Sequence, residues 1–326
     1  MKKILSVLIV IILLFSIGGC SKQEDSYKKE IVNIAGLKGP TSIGMIKMFE
    51  EKPLLGENLE SEYEVAQSPD ILVSKLLSKE VDFAALPTNV AAKLYNKKVG
   101  YELVAVNTWG VLYIMTQDED IKDWNDLKGK HINAIAKGST PDIVFRYLLE
   151  KHGLNPETDV TLDYTLGHIE LAQSMVAGKV KIALLPEPFV TMVKMKNKEA
   201  SIAMNIQDEW KNTLGVENAF PQGCLVVRKE FAQKQPDAVE RFLEEYKKSI
   251  DWVNENKEEA GVLVEKYGIG MKAKMAEMAI PRCNISFKDA KNAKKSVEDY
   301  FKVIYDFSPK DIGGKLPDED FYYHKK

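Results

Sequence analysis

The sequence predicts an α/β protein of two lobes, each with a parallel-core sheet, joined by two crossing strands. Three observations carry this reading. Pro186 of "VKIALLPEP" follows Pro87 of "VDFAALPTN" by 99 residues, and "KGST" (Lys137 to Thr140) follows "KGPT" (Lys38 to Thr41) by the same 99. Each copy alternates strand, helix, strand, helix, strand, which requires a parallel sheet with right-handed crossovers. A chain of 326 residues exceeds what one hydrophobic core usually fills.

In the first copy, "IVNIAG" reads as a short strand and Gly39-Pro40-Thr41-Ser42 as a turn. A helix follows with Ile43, Ile46 and Phe49 at helical spacing, Thr and Ser serving as its N-caps. "SEYEVAQ" is a second strand, and Ser68-Pro69-Asp70 opens a helix carrying Ile71, Leu72, Leu76 and Leu77. "VDFAAL" is apolar throughout, as a strand covered on both faces must be, and Pro87 stops it.

The second copy follows the same plan. "HINAIA" is its first strand, "KGSTPD" its turn, and Val144, Tyr147 and Leu148 mark a helix; then come "VTLDYT", a helix from Ile169 to Ala177, and "VKIALL" ended by Pro186. Between the copies, Val104 to Met115 reads as one extended segment interrupted at Asn107-Thr108-Trp109-Gly110, and "FPQGCLVVRKEF" forms a second link. The remainder is mostly helical, with one long helix from Pro236 closed by Tyr267-Gly268. It is expected to pack back on the first lobe.

The first nineteen residues are read as an address. Lys2 and Lys3 precede an apolar run from Ile4 to Ile17, too short for the ~20 residues of a spanning helix, so the segment has the layout of a secretory signal. Ile17-Gly18-Gly19-Cys20 resembles the bacterial lipoprotein box, with Cys20 as the lipidated residue. "SKQEDSYKKE" is charged without apolar periodicity and reads as a tether. The expected divisions are therefore 1–19 signal, 20–30 tether, 31–108 first lobe, 109–223 second lobe and 224–326 returning to the first.

Loss of the signal takes the formal charge from −3 to −5, which speaks against nucleic acid as a partner. The four histidines are scattered and no metal-ligand spacing is present. Cys224 and Cys283 carry no spacing cue for a disulfide; buried free thiols are the simpler reading.

In open parallel sheets, ligands bind beyond the carboxyl ends of the strands, where "GPTS", "LPTN", "GSTPD" and "LPEP" all fall. Facing lobes would bring these turns to one cleft, with helix N-termini offering donors and partial positive charge. Position alone selects Pro40, Thr41, Ser42, Thr88 and Asn89 from the first lobe, Trp109 from the crossing strand, and Ser139, Thr140, His168 and Glu187 from the second. Trp109 could stack on a planar ligand, and Glu187 between two prolines could accept from an amine. Lys38, Lys137 and Arg282 point instead to an anion, Arg282 having the better fork. The sequence leaves the ligand's charge sign open.

The signal, the paired lobes, "VDFAALPTN", "VKIALLPEPF" and the tail "SPKDIGGKLPDEDFYY" resemble the solute-binding lipoproteins of ABC importers. The branch they resemble is that of nitrate, sulfonate, taurine and thiamine-pyrimidine binding. The resemblance implies a type II periplasmic-binding-protein fold closing about hinges near Asn107 to Gly110 and Pro221 to Gly223. It further implies a monomer, anchored outside the cell membrane, that passes a small molecule to an ABC permease without a cofactor, a thiamine-pyrimidine-like amine being favoured and a sulfonate, nitrate or carboxylate next. Two other readings stand beside it. One is a lipid-anchored surface interaction protein. The other is a pyrimidine-synthesis enzyme of the same fold family, which would need the cysteine cluster that this sequence lacks.

Overall fold

The structure is a computed structural model that describes residues 29–325. The signal, Cys20 and most of the tether lie outside the described residues. Two mixed sheets organise the chain.

The first sheet begins with β1 (Glu30–Leu37), followed by α1 (Pro40–Ile43) and α2 (Ile46–Glu51), then β2 (Leu59–Ala66), α3 (Pro69–Leu77), β3 (Phe83–Pro87), α4 (Thr88–Asn96) and β4 (Tyr101–Trp109). Ser68 caps α3, its hydroxyl accepting from the Ile71 N–H at 3.4 Å, with Pro69 in the first turn. The helix expected after "GPTS" is broken: Thr41 and Ser42 lie inside the four-residue α1, and Gly44 and Met45 separate it from α2. Gly44 lies close under Ile250 and Ile285, which leaves no room there for a side chain.

The second sheet takes β5 (Leu112–Thr116), β6 (His131–Asn133), α5 (Thr140–Lys151), β7 (Thr161–Asp163), α6 (His168–Val176), β8 (Ile182–Pro186), α7 (Phe189–Lys196) and β9 (Ser201–Asn205), in the order β7-β6-β8-β5-β9. The repeat survives in three dimensions. Helices α3 and α6 start 99 residues apart, at 69 and 168, as do β3 and β8, at 83 and 182. Strand β6 is shorter than "HINAIA" suggests.

After α8 (Ile206–Leu214), β10 (Pro221–Arg228) returns to the first sheet, followed by α9 (Lys229–Lys234), α10 (Pro236–Glu255), α11 (Lys257–Lys266), α12 (Ala273–Ala279), β11 (Ile285–Asp289) and α13 (Ala290–Phe307). The first sheet runs β11-β4-β10-β3-β1-β2; β1 pairs in parallel with β2 and β3, while β10 and β11 run antiparallel to their neighbours. The single long helix expected from Pro236 is two helices, because Asn256 leaves helical geometry (φ −120°, ψ 58°) and its side chain caps the Trp252 carbonyl at 2.9 Å.

The interruption read at Asn107 to Gly110 comes at the last of these residues. Strand β4 runs unbroken through Asn107 to Trp109, and the break comes at Gly110, where a Cβ would lie 2.5 Å from Phe220 and 2.7 Å from Gln207. One apolar core continues through this junction from the first sheet to the second; a further core packs under α10–α12, and a third under α6 and α7.

Candidate functional site

Where the two sheets meet, the exits of β1, β3 and β4 and the start of β10 come together. Gly223 of β10 pairs with Pro87 of β3 on one side and Thr108 of β4 on the other. A Cβ at Gly223 would stand 2.5 Å from the Thr41 methyl, 3.0 Å from Asn107 Oδ1 and 3.3 Å from Thr108 Cβ. Glycine therefore lets four segments close around one point.

The polar atoms here are unusual. Ser42, Thr88, Asn107 and Thr108 are buried, each at 1% exposure or less. The Ser42 Oγ, Asn107 Oδ1, Thr108 Oγ1 and Gln222 Oε1 atoms have no hydrogen-bond partner among the described residues. The Thr88 hydroxyl has no oxygen or nitrogen partner; its neighbour is the Cys224 thiol, a weak one. Burial pushes that thiol up to about 12, so Cys224 is a neutral part of the floor. Cys224 and Cys283 are both free and buried.

The Asn107 amide is oriented unambiguously. Its Nδ2 donates to the Thr41 carbonyl at 3.1 Å, an atom that only accepts, and to the Tyr246 hydroxyl at 2.7 Å. Oδ1 is thereby left aimed away from both. Leaving such an atom unpaired costs about 1–3 kcal/mol, which is the signature of a place that another molecule or water completes.

Of the second-lobe candidates, Thr140 is buried and shares a hydrogen bond of 2.8 Å with the Tyr300 hydroxyl on α13, whereas Ser139 is exposed and does not cap α5. His168 opens α6 at the surface, its ring 5.7 Å from Phe189. Pro40, Thr41 and Asn89 are half-buried.

Glu187 is buried and accepts from three donors. Its Oε2 accepts from the Thr191 N–H at 3.1 Å, and its Oε1 accepts from the Thr191 hydroxyl at 3.0 Å and from Arg282 Nε. Burial raises its carboxyl above the usual value, against the opposing pull of Arg282 and Thr191.

Trp109 lies on another face. Its indole N–H donates to the Ser286 carbonyl at 3.1 Å, the Lys288 ammonium sits 5.5 Å from its ring, and it lines a cavity of about 400 Å³ with Asn254 and Asn284. Lys38 is exposed, and the Lys137 ammonium lies 5.5 Å from the Tyr164 ring. Asn107, Thr108, Gln222 and Gly223 were visible in the sequence only as interrupted strand and presumed hinge.

Comparison with known proteins decides the family. Residues 54–270 match the family model described as "ABC transporter, phosphonate, periplasmic substrate-binding protein". The chain belongs to this family of ABC-transporter substrate-binding proteins. Its fold is that of solved members of the type. An ABC transporter protein from Parabacteroides distasonis is 27% identical with a TM-score of 0.79, over 91% of this chain and 99% of that one. The aliphatic sulphonate binding protein SsuA from Escherichia coli is 15% identical with a TM-score of 0.71, over 91% and 93%. The nitrate-binding protein NrtA from Synechocystis has 14% identity and a TM-score of 0.60, over 86% and 84%. The last two likenesses show the fold alone.

Among curated proteins, a putative aliphatic sulfonates-binding protein of Bacillus subtilis is 29% identical over 150 residues, 46% of this chain and 42% of that protein. The putative binding protein YtlA of the same organism is 24% identical over 145 residues, 44% of this chain and 41% of that one. The matched stretch thus spans less than half of either relative. Among the described residues no helix is long and apolar enough to cross a membrane.

Proposed function

We propose that this family member captures a small aliphatic solute carrying both an oxyanion and a hydrogen-bond donor, of the aminoalkane-sulfonate or aminoalkane-phosphonate kind, and delivers it to an ABC permease. The observation that carries the reading is the set of buried, unpartnered polar atoms at the strand exits. Ser42 and Thr108 have hydroxyls to donate to an oxyanion, and Asn107 Oδ1 has a lone pair that calls for an N–H or O–H. The first turn of α4, entered at Thr88, adds backbone donors and partial positive charge.

The aminopyrimidine preference rests on Glu187 as acceptor, and Glu187 already accepts from three donors. It therefore ranks second to the oxyanion. The movement that admits the solute is a hinge closure of residues 31–108 with 224–326 against 109–223. Cys20 is the lipid attachment site in this reading, and the protein is a monomeric binding subunit, not an enzyme.

A thermal-shift screen tests the solute class, because a ligand at 100 times its dissociation constant stabilises by about 2.7 kcal/mol. Aliphatic aminosulfonates and aminophosphonates are expected to raise the melting temperature most. If aminopyrimidines lead and the sulfonates do nothing, the oxyanion reading is wrong. Replacing Cys20 with Ala is expected to release the protein from membranes; unchanged fractionation would remove the anchor.

A further inference from the structure

The pair formed by Arg282 and Glu187 is 95 residues apart in sequence and joins the two lobes. Arg282 belongs to the turn that follows α12 and enters β11, at the edge of the first sheet; Glu187 leaves β8 of the second. The contact is a closed ring of three side chains. Arg282 Nε donates to Glu187 Oε1, Arg282 Nη2 donates to the Thr191 hydroxyl, and that hydroxyl donates to Glu187 Oε1 at 3.0 Å.

Each half is aimed from its own lobe. A 3.0 Å bond from Nη2 to the Met278 carbonyl holds the guanidinium against α12, and the Asn284 side chain, two residues on, donates to the Gly110 carbonyl at 2.6 Å. On the other side, the Thr191 N–H fixes the carboxylate at the start of α7. The Tyr113 hydroxyl of β5 donates to the Arg282 carbonyl at 3.1 Å, and α12 packs on α7, so the guanidinium stands at the centre of a lobe-to-lobe contact.

Exposure differs across the pair. The Arg282 side chain is 27% exposed and that of Glu187 is 0%. Arginine can withdraw toward water with its lobe, while the carboxylate keeps both Thr191 donors and gains water. A separation of the lobes would break this bond and a closure would make it, and every bond of the ring joins groups of the chain itself.

We propose that Arg282 and Glu187 form an interlobe latch, which draws the lobes together before any solute binds and slows the escape of one that has. The inference rests on the reading that the lobes move about a hinge. In it, Arg282 is a positioning residue that need not touch the solute. A planar fork that reaches a carboxylate and a hydroxyl at once explains why arginine rather than lysine stands there. Because the closed form is the binding-competent one, a latch that raises its population raises apparent affinity by the same factor.

The test measures the distance between spin labels on the two lobes of the full chain. Labels are placed through Glu62→Cys and Lys179→Cys, both exposed positions, with Cys20→Ala so that only the added thiols react; Cys224 and Cys283 are buried. Without solute, Arg282→Ala is expected to shift the distribution to longer distances, and Arg282→Lys to restore it in part. Glu187→Gln in the Arg282→Ala background is expected to add nothing further. A distribution for Arg282→Ala that coincides with the parent's overturns the latch, provided its circular dichroism is that of the folded parent; if it is not, Arg282→Met, which keeps an apolar stem and loses the guanidinium, decides by the same criterion.

The second readout is dissociation of 2-aminoethanesulfonate as probe, expected to be about tenfold faster in Arg282→Ala, since truncating one partner of a buried charge pair acts mainly on the off-rate. Failure of the probe to bind the parent counts against the solute reading and leaves the unliganded distances to judge the latch. A probe that binds and shortens the distance equally in both proteins keeps the solute reading and sinks the latch.

Discussion

Asn107 donates to the Tyr246 hydroxyl at 2.7 Å across 139 residues of sequence and to the Thr41 carbonyl at 3.1 Å, so that one buried amide ties β4 to α10 and to the first turn of the cleft. Both side chains are buried, at 1% and 0% exposure. Tyr246→Phe removes one hydrogen bond without opening a cavity and is expected to cost about 1 kcal/mol. Asn107→Leu leaves both the Thr41 carbonyl and the Tyr246 hydroxyl unpaired and is expected to cost roughly 2–4 kcal/mol. Thermal melts of the two variants check the order; equal melts would mean that the amide organises nothing.

The unpartnered hydroxyls give the opposite sign. Ser42→Ala and Thr108→Val each remove a buried polar atom that has no partner, so the melting temperature without solute is expected to stay level or rise. Solute affinity is expected to fall about tenfold for each, as one hydrogen bond to an oxyanion is lost. Calorimetry beside the melt separates the two effects. A variant that loses stability and keeps affinity would show that the hydroxyl serves the fold.

Gly223→Ala would force a methyl to within 2.5 Å of the Thr41 side chain and 3.0 Å of Asn107 Oδ1. Overpacking of this kind costs roughly 1–3 kcal/mol, and the displaced atoms border those of the proposed solute site. Lower melting temperature and weaker binding are expected together. Unchanged binding would place the solute elsewhere.

Glu187 gives a pH dependence with a definite sign. Its folded-state carboxyl is raised by burial, with Arg282 and Thr191 pulling the other way and Tyr113 and Cys283 nearby, so the folded state holds the proton more tightly than the unfolded chain. Stability from this group is greatest below the ordinary value of 4.5 and declines as pH rises from there to the raised value. Glu187→Gln cannot titrate. The stability of the parent relative to this variant is therefore expected to be higher at the acid end of a melt series than at neutral pH. A difference that grows with pH would reverse the sign and show the carboxyl to be lowered.

What the sequence revealed was what local chemistry determines. The 99-residue offset, the serine and proline that open α3, and the prolines that end β3 and β8 are all read from a few adjacent residues, and they placed the turns correctly at the sheet exits. Two of the edge strands, β9 and β11, were harder to read. Strand β9 (Ser201–Asn205) shows little burial and no clear alternation, and β11 pairs with β4 only through an irregular register. The site divided in the same way. Position nominated Thr41, Ser42 and Thr88 as candidates, but the partners that decide what each polar group has left to offer, Tyr246 for Asn107 and Arg282 for Glu187, lie 139 and 95 residues away. No local pattern reports such distances.

The second sheet is built from one unbroken stretch, Leu112 to Asn205, whereas the first combines strands from residues 30–109 with others from 221–289 and is finished by Tyr323, whose N–H donates to the Leu103 carbonyl at 2.9 Å. The order of assembly follows from this. A chain emerging amino end first can complete the second sheet while the first still lacks its central strand β10, the neighbour of both β3 and β4. Loop closure over more than a hundred residues then makes the first lobe the slow step. Until it closes, β3 and β4 present open edges of the kind that pair with foreign chains, so the stretch 30–109 is where assembly is most exposed to mispairing.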